Sequence, residues 1–286
     1  MNNPTSRGDT SALPMAEPLS VLPSLASIAN ALPPLPCALD ALEPFITRPL
    51  LEAHYNIHAS FVAALDSPLR PDMTMVDAIT WRLEWIHKRL LNLRTATNHS
   101  GGARMLAARL CMIRDLVRHH GGGHVNHSLF WRWLTPHHAA QQAPDGVLEA
   151  GLKTWLGSFQ KFKDDFTAKA LSVEGDGWTW LVLRADQSLA ITSTQAEDNP
   201  LMRMVVPEEQ RGIPLFGVDV AEHAYAPQYG PNKARYLDAW WQVVNWNQVS
   251  VDYSTAIHDP SLLAEPPHDP LWGWNPASQP PAKSSS

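Results

Sequence analysis

Asp219 closes an apolar run, Ile213-Pro214-Leu215-Phe216-Gly217-Val218, and His223 follows four residues later with Glu222 beside it. A run of this kind reads as a buried strand. It would carry a carboxylate to the strand end and an imidazole onto the turn beyond, a pairing that suits a metal with mixed oxygen and nitrogen ligands. On its own the Asp-x-x-x-His spacing also fits a surface cap beside a packed histidine. Two further segments change the balance. Leu50–His58 reads as helix, with His54 and His58 four apart on one face, and His127 stands just before the apolar cluster Leu129-Phe130-Trp131. Three imidazoles and one carboxylate form a set that suits manganese or iron and does not exclude zinc.

These segments resemble the iron/manganese superoxide dismutases, in the order that family keeps. Leu35–Pro44 is similar to its opening segment and Gly121–Trp131 to the stretch bearing its second ligand. Gly157–Phe162 with Gly175–Trp180 is similar to its domain junction and first strand. Asp219–Tyr225 matches the family's Asp-Val-Trp-Glu-His-Ala-Tyr with one change, and Tyr236–Trp246 resembles its last helix. The likeness covers about 35–65 and 118–256. It implies an α+β fold, with an N-terminal long helical hairpin domain followed by an α/β domain with a three-stranded antiparallel sheet. It also implies His54, His127, Asp219 and His223 as ligands of one manganese or iron ion per subunit, superoxide as substrate and a homodimer as the assembly.

Around those ligands the sequence departs from its relatives. By position Glu197 stands where manganese-type members carry a glutamine, and Gly123 stands where iron-type members often carry theirs. Ala221 replaces the tryptophan between two ligands. Phe61 or Val62, depending on a one-residue gap, takes the place of a gateway tyrosine. Ala226 replaces the tyrosine that meets the gateway histidine across the dimer. Trp131 and Trp178 keep aromatic wall positions, Glu222 keeps the place of the glutamate that holds the other subunit's ligand, and His58 matches the gateway histidine. His58 and Glu197 are accordingly the candidate catalytic residues. An ionised Glu197 would favour the higher oxidation state, whereas burial would keep it protonated and able to donate a hydrogen bond as an amide does. The expected activity is disproportionation of superoxide to dioxygen and hydrogen peroxide. The alternative is a weakly active or inactive metal-binding or interaction protein on the same scaffold.

Several elements must position these residues. A helix over about 49–64 would carry His54, with Pro49 in a first turn where a missing N–H is harmless. Val76, Ile79, Leu83, Ile86, Leu90 and Leu93 recur at three and four, which predicts an amphipathic helix over 75–94. Gly101-Gly102 breaks it, and Leu106, Leu110, Ile113 and Val117 begin a second helix, an enlarged hairpin. A polar linker over 137–146 precedes one or two helices across 147–170. Strands follow near 177–184, 188–194 and 213–220, with Asp186 and Gln187 at the first turn, then a helix near 233–244. The domain expectations are an extension over 1–34, disordered or loosely packed, the hairpin domain over 35–137, the α/β domain over 138–256 and a Pro/Ser-rich tail over 257–286.

At 286 residues and 44% hydrophobic, the chain can bury a sizeable core and hold two domains. A net charge of −6 without a basic run argues against nucleic acid as a partner. No apolar stretch approaches a membrane span. Cys37 and Cys111 form no framework pattern, and the N-terminus lacks the order of a signal peptide, so a cytoplasmic setting is expected.

Overall fold

The computed structural model describes residues 28–65, 74–95 and 101–259; the side chains of 94 and 95 and the tail from 260 lie outside that description. Helix α1 (Arg48–Ala64) has a proline in its first turn, and its buried face is Leu50, Leu51, His54, His58 and Phe61. The two histidines therefore ride on the apolar stripe of an amphipathic helix. Thr47, just before α1, donates through its backbone N–H and its hydroxyl to Gln228 Oε1. That anchors the start of α1 to the segment that follows the sheet.

Helix α2 runs over 75–95 and helix α3 over 101–132, each interrupted by one π turn, Ala78–Arg82 in α2 and Val117–Gly121 in α3. Their outer halves share a small core of Ile86, Leu90 and Leu110. The two π turns lie against each other, and a side chain at Gly121 would press to 3.2 Å of both Ile79 and Met75. Gly101 and Gly102 open α3. The triple glycine does not end it either. A Cβ at Gly122 would stand 2.1 Å from the Glu197 carbonyl and one at Gly123 would stand 2.7 Å from the Phe61 ring, so these glycines are what lets α3 approach its neighbours. All residues of Gly122–Arg132 are buried.

After the turn at His137–Ala139 come α4 (Gly146–Leu156) and α5 (Phe159–Leu171). Between them Gly157 has φ +89°, and the Ser158 hydroxyl caps α5 by accepting from the Lys161 N–H at 3.0 Å. The sheet is three-stranded and antiparallel in the order β2-β1-β3, from β1 (Gly177–Leu183), β2 (Leu189–Gln195) and β3 (Ile213–Asp219). The α+β architecture read from the sequence is the one observed. β1 and β3 are buried throughout, as the apolar run over 213–218 requires. In the register of β1 with β3, Trp178 lies opposite Asp219.

Helices α6 (Glu222–Tyr229), α7 (Lys233–Trp240) and α8 (Trp246–His258) complete the described chain. α7 falls where a helix was expected near 233–244, whereas α8 was not anticipated and reaches past 257, where the tail was expected to begin. The Asn245 side chain accepts from the Gln248 N–H, and Trp246, Val249, Tyr253 and Ala256 form the buried stripe. Asp252 on α8 pairs with Arg132 at 2.6 Å and accepts from Trp133 Nε1 at 2.9 Å, which ties α8 to the end of α3. A bridge between Leu134 and Val244 closes the same junction.

Residues 28–34 touch the helices at a few points, although most of the segment is exposed. Ile28 is buried, its carbonyl accepts from the Met75 N–H, and the Pro33 carbonyl accepts from the Tyr55 hydroxyl. The rest of the expected N-terminal extension and nearly all of the tail fall outside the described residues. Among those residues no helix is long and apolar enough to cross a membrane.

Candidate metal centre

Asp219 stands at the end of β3, fully buried, with one carboxylate oxygen turned back to the chain and the other turned to three imidazoles. Oδ1 accepts from the Ala221 N–H at 2.9 Å. Oδ2 lies 3.1 Å from His54 Nε2, 3.0 Å from His223 Nε2 and 3.6 Å from His127 Nε2. One ligand atom from each of these four residues lies within 4.8 Å of all the others. α1, α3, β3 and α6 each contribute one of them.

His127 is the member of the cluster with a nitrogen left unpartnered among the described residues. Its Nδ1 lies 2.7 Å from the Gly123 carbonyl, one turn earlier in α3. A carbonyl only accepts, so Nδ1 carries the proton and Nε2 is left with a bare lone pair aimed at Asp219. That Nε2 is buried and has no hydrogen-bond partner among the described residues. A buried nitrogen without a partner is costly in a native structure. A divalent or trivalent cation among three nitrogens and one carboxylate oxygen supplies the missing partner, and the donor set fits manganese or iron.

The electrostatics agree. Burial pushes the His127 imidazolium down to about 3, with the neighbouring His54 adding to the effect. Burial also lowers His54, against the pull of Asp219. Burial alone would raise Asp219, but hydrogen bonds from His223 and His54 overcome it and hold the carboxyl well below its usual range. For His223 burial is the largest influence, but the hydrogen bond to Asp219 together with the charges of Asp219, Glu197 and Asp176 outweighs it, so this imidazole is raised.

The surrounding wall is aromatic. The Trp131 ring lies 4.9 Å from His54, Trp178 lies 5.2 Å from His127 and Phe130 lies 5.3 Å from His54. Of Phe61 and Val62, Phe61 is the buried one, with its ring 5.4 Å from His127. Glu197 is buried in the loop after β2, where Trp178 Nε1 donates to its Oε2 at 3.3 Å and Asn126 Nδ2 approaches the same oxygen at 3.5 Å. Burial, then the Asp219 charge, pushes Glu197 up to about 8. Ala221 is buried, and Glu222 next to it is exposed. His58 is fully buried and stacks on His127 with centroids 5.4 Å apart.

Two residues of this neighbourhood were not singled out from the sequence. Asn126 donates to the Glu197 carbonyl at 3.2 Å and accepts from Asn199 Nδ2 at 2.8 Å, so it fixes the Glu197 loop. His124 meets His58 at 2.7 Å. The signal available was the polar pair itself, His124 and Asn126, inside a stretch otherwise built for burial.

The family model for the C-terminal domain of iron/manganese superoxide dismutases matches residues 144–252. Similar proteins include a manganese superoxide dismutase of Acinetobacter baylyi, 34% identical over 87% of this chain and 96% of the relative. Another, from Pseudomonas aeruginosa, is 35% identical over 80% and 98%, and a mitochondrial one from Aspergillus oryzae is 34% identical over 82% and 97%. The chain belongs to the iron/manganese superoxide dismutase family. Membership makes it an oxidoreductase, and the four clustered side chains are those that the family resemblance picked out.

Proposed function

We propose that the protein disproportionates superoxide, with His54, His127, Asp219 and His223 holding one manganese or iron ion. The observation that carries this reading is the convergence of four ligand atoms within 4.8 Å, one of them the unpartnered Nε2 of His127. When bound, such an ion alternates between adjacent oxidation states, so that one superoxide is oxidised to dioxygen and another, with two protons, is reduced to hydrogen peroxide. Asp219 offsets the positive charge, and the aromatic wall of Phe61, Phe130, Trp131 and Trp178 keeps bulk water from the imidazoles.

Glu197 serves as the proton-holding neighbour. Its Oε2 faces two N–H donors, Trp178 and Asn126, so a protonated carboxyl carries its hydrogen on Oε1. In that state Glu197 donates a hydrogen bond much as an amide would. Trp178 and Asn126 fix which oxygen does so.

The chain is proposed to act as a homodimer. His223 is about one quarter exposed and Glu222 beside it is exposed, which leaves this edge open to a second copy. The domain boundary is proposed near 137–138, and the turn after α3 at His137–Ala139 supports it. A cytoplasmic setting fits two free thiols, Cys37 and Cys111. The decisive experiment is metal analysis of purified protein together with superoxide decay after loading with manganese and then iron. Turnover with at least one metal is expected; retention of neither metal, or no acceleration with both, would refute the reading.

A further inference from the structure

The histidines outside the ligand set form a chain of their own. Trp131 Nε1 lies 2.9 Å from His58 Nδ1, His58 Nε2 lies 2.7 Å from His124 Nδ1, and His124 Nε2 lies 2.8 Å from the Ala29 carbonyl. Ser128 Oγ lies 3.3 Å from the same His124 Nδ1. Both ends of the chain are chemically fixed, because an indole N–H can only donate and a carbonyl can only accept. His58 Nδ1 must therefore accept, which puts the His58 proton on Nε2. That proton goes to His124 Nδ1, which puts the His124 proton on Nε2, facing Ala29. An imidazolium at His58 would turn an Nδ1–H towards the indole N–H, donor against donor. At His124 it would turn one towards the His58 N–H.

The terminal acceptor belongs to no helix. Ala29 lies in the 28–34 segment, whose Ile28 and Pro33 carbonyls take hydrogen bonds from the start of α2 and from α1. At the other end of the chain, the His58 ring lies face to face with His127, interplanar angle 24°.

We propose that His124, anchored on the Ala29 carbonyl, is a positioning residue that locks His58 in one tautomer and one orientation against His127. The inference rests on the reading of His127 as a metal ligand. It makes the N-terminal segment part of the site. It also makes His58, with both nitrogens held, a fixed wall of the centre rather than a carrier of protons to solvent.

Neutron diffraction of the manganese-loaded, deuterium-exchanged protein tests the assignment directly. Deuterium is expected on Nε2 of both His58 and His124 and on neither Nδ1; density on either Nδ1 would overturn it. His124→Gln reaches towards Ala29 but withdraws the acceptor from His58, whereas His124→Asn keeps an acceptor near the Nδ1 position. The glutamine variant should lose manganese retention by about 10-fold, the low end of what losing a ligand's own hydrogen-bond partner costs, because His124 acts one residue further out, and the asparagine variant should recover most of that loss. Equal losses in the two variants, or none with glutamine, would count against the proposal. Where a variant does not fold, the neutron map of the parent decides. Absent turnover in the parent would refute the dismutase reading while leaving both the proton positions and manganese retention to be measured.

Discussion

Glu197 is one of the residues expected to depart from the family pattern, and its surroundings say how a carboxyl is accommodated there. A carboxylate near Asp219 would add negative charge to a buried site, and burial answers by keeping Glu197 protonated up to about 8. The folded protein then binds a proton that the unfolded chain releases near 4.5. Stability contributed by that proton is complete below 4.5 and is lost as pH rises towards 8. Glu197→Gln removes the titration, so in the metal-free protein its urea midpoint should gain on the parent across that window. Parallel midpoints at all pH values would show that Glu197 does not titrate in the fold. With metal bound, turnover of the same variant reports whether an amide is the better donor at this place. The four clustered side chains were legible because His54 lies on an apolar helix face, His127 stands before an apolar cluster and Asp219 ends an apolar run, and because the family resemblance picked out all four. Asn126 and His124 were not, because their partners, Glu197 and Ala29, lie 71 and 95 residues away in sequence.

At the scale of elements, the centre depends on how closely α3 approaches the loop after β2. Arg118 clamps that loop through a bidentate pair with Asp198, at 2.7 and 2.8 Å, and Thr194 Oγ1 donates to the Asp198 carbonyl at 2.6 Å. Gly122 is the contact point, with only 2.1 Å available between a would-be Cβ and the Glu197 carbonyl. Gly122→Ala should therefore cost about 1–3 kcal/mol as an overpacked contact, seen as a lowered thermal midpoint. Because backbone must shift, Glu197 should move with it, and turnover should fall more than metal content. Helix boundaries in this region followed from periodicity, which recovered both arms of the hairpin. What periodicity could not supply was the role of glycine. Gly101-Gly102 and Gly121–Gly123 look like punctuation in one dimension, yet both lie within α3, the latter because two neighbours sit too near for any side chain. Helix α8 carried a readable stripe of its own and was obscured by the proline-rich residues that follow it.

Across the whole molecule the sheet delivers Asp219 to the site while its other residues are fixed in an aromatic core. Phe216, three residues before Asp219 on β3, packs with Trp133, Phe166, Trp240, Trp241 and Trp246 at centroid distances from 5.0 to 6.1 Å. Phe216→Ala should cost about 3–5 kcal/mol, read by denaturant unfolding. Metal affinity should drop too, since the strand that aims the carboxylate loses its anchor; an unchanged affinity would show that Asp219 is held by its histidines alone. The paired π turns also fix the phase of the helix that carries two of the site's imidazoles. An added residue turns everything beyond it by about 100° around a helix axis. The wider turn at Val117–Gly121 therefore sets which way His124 and His127 look, and it packs against the one at Ala78–Arg82. Taking one residue out of Val117–Gly121 would swing both imidazoles away from His58 and Asp219, their present neighbours.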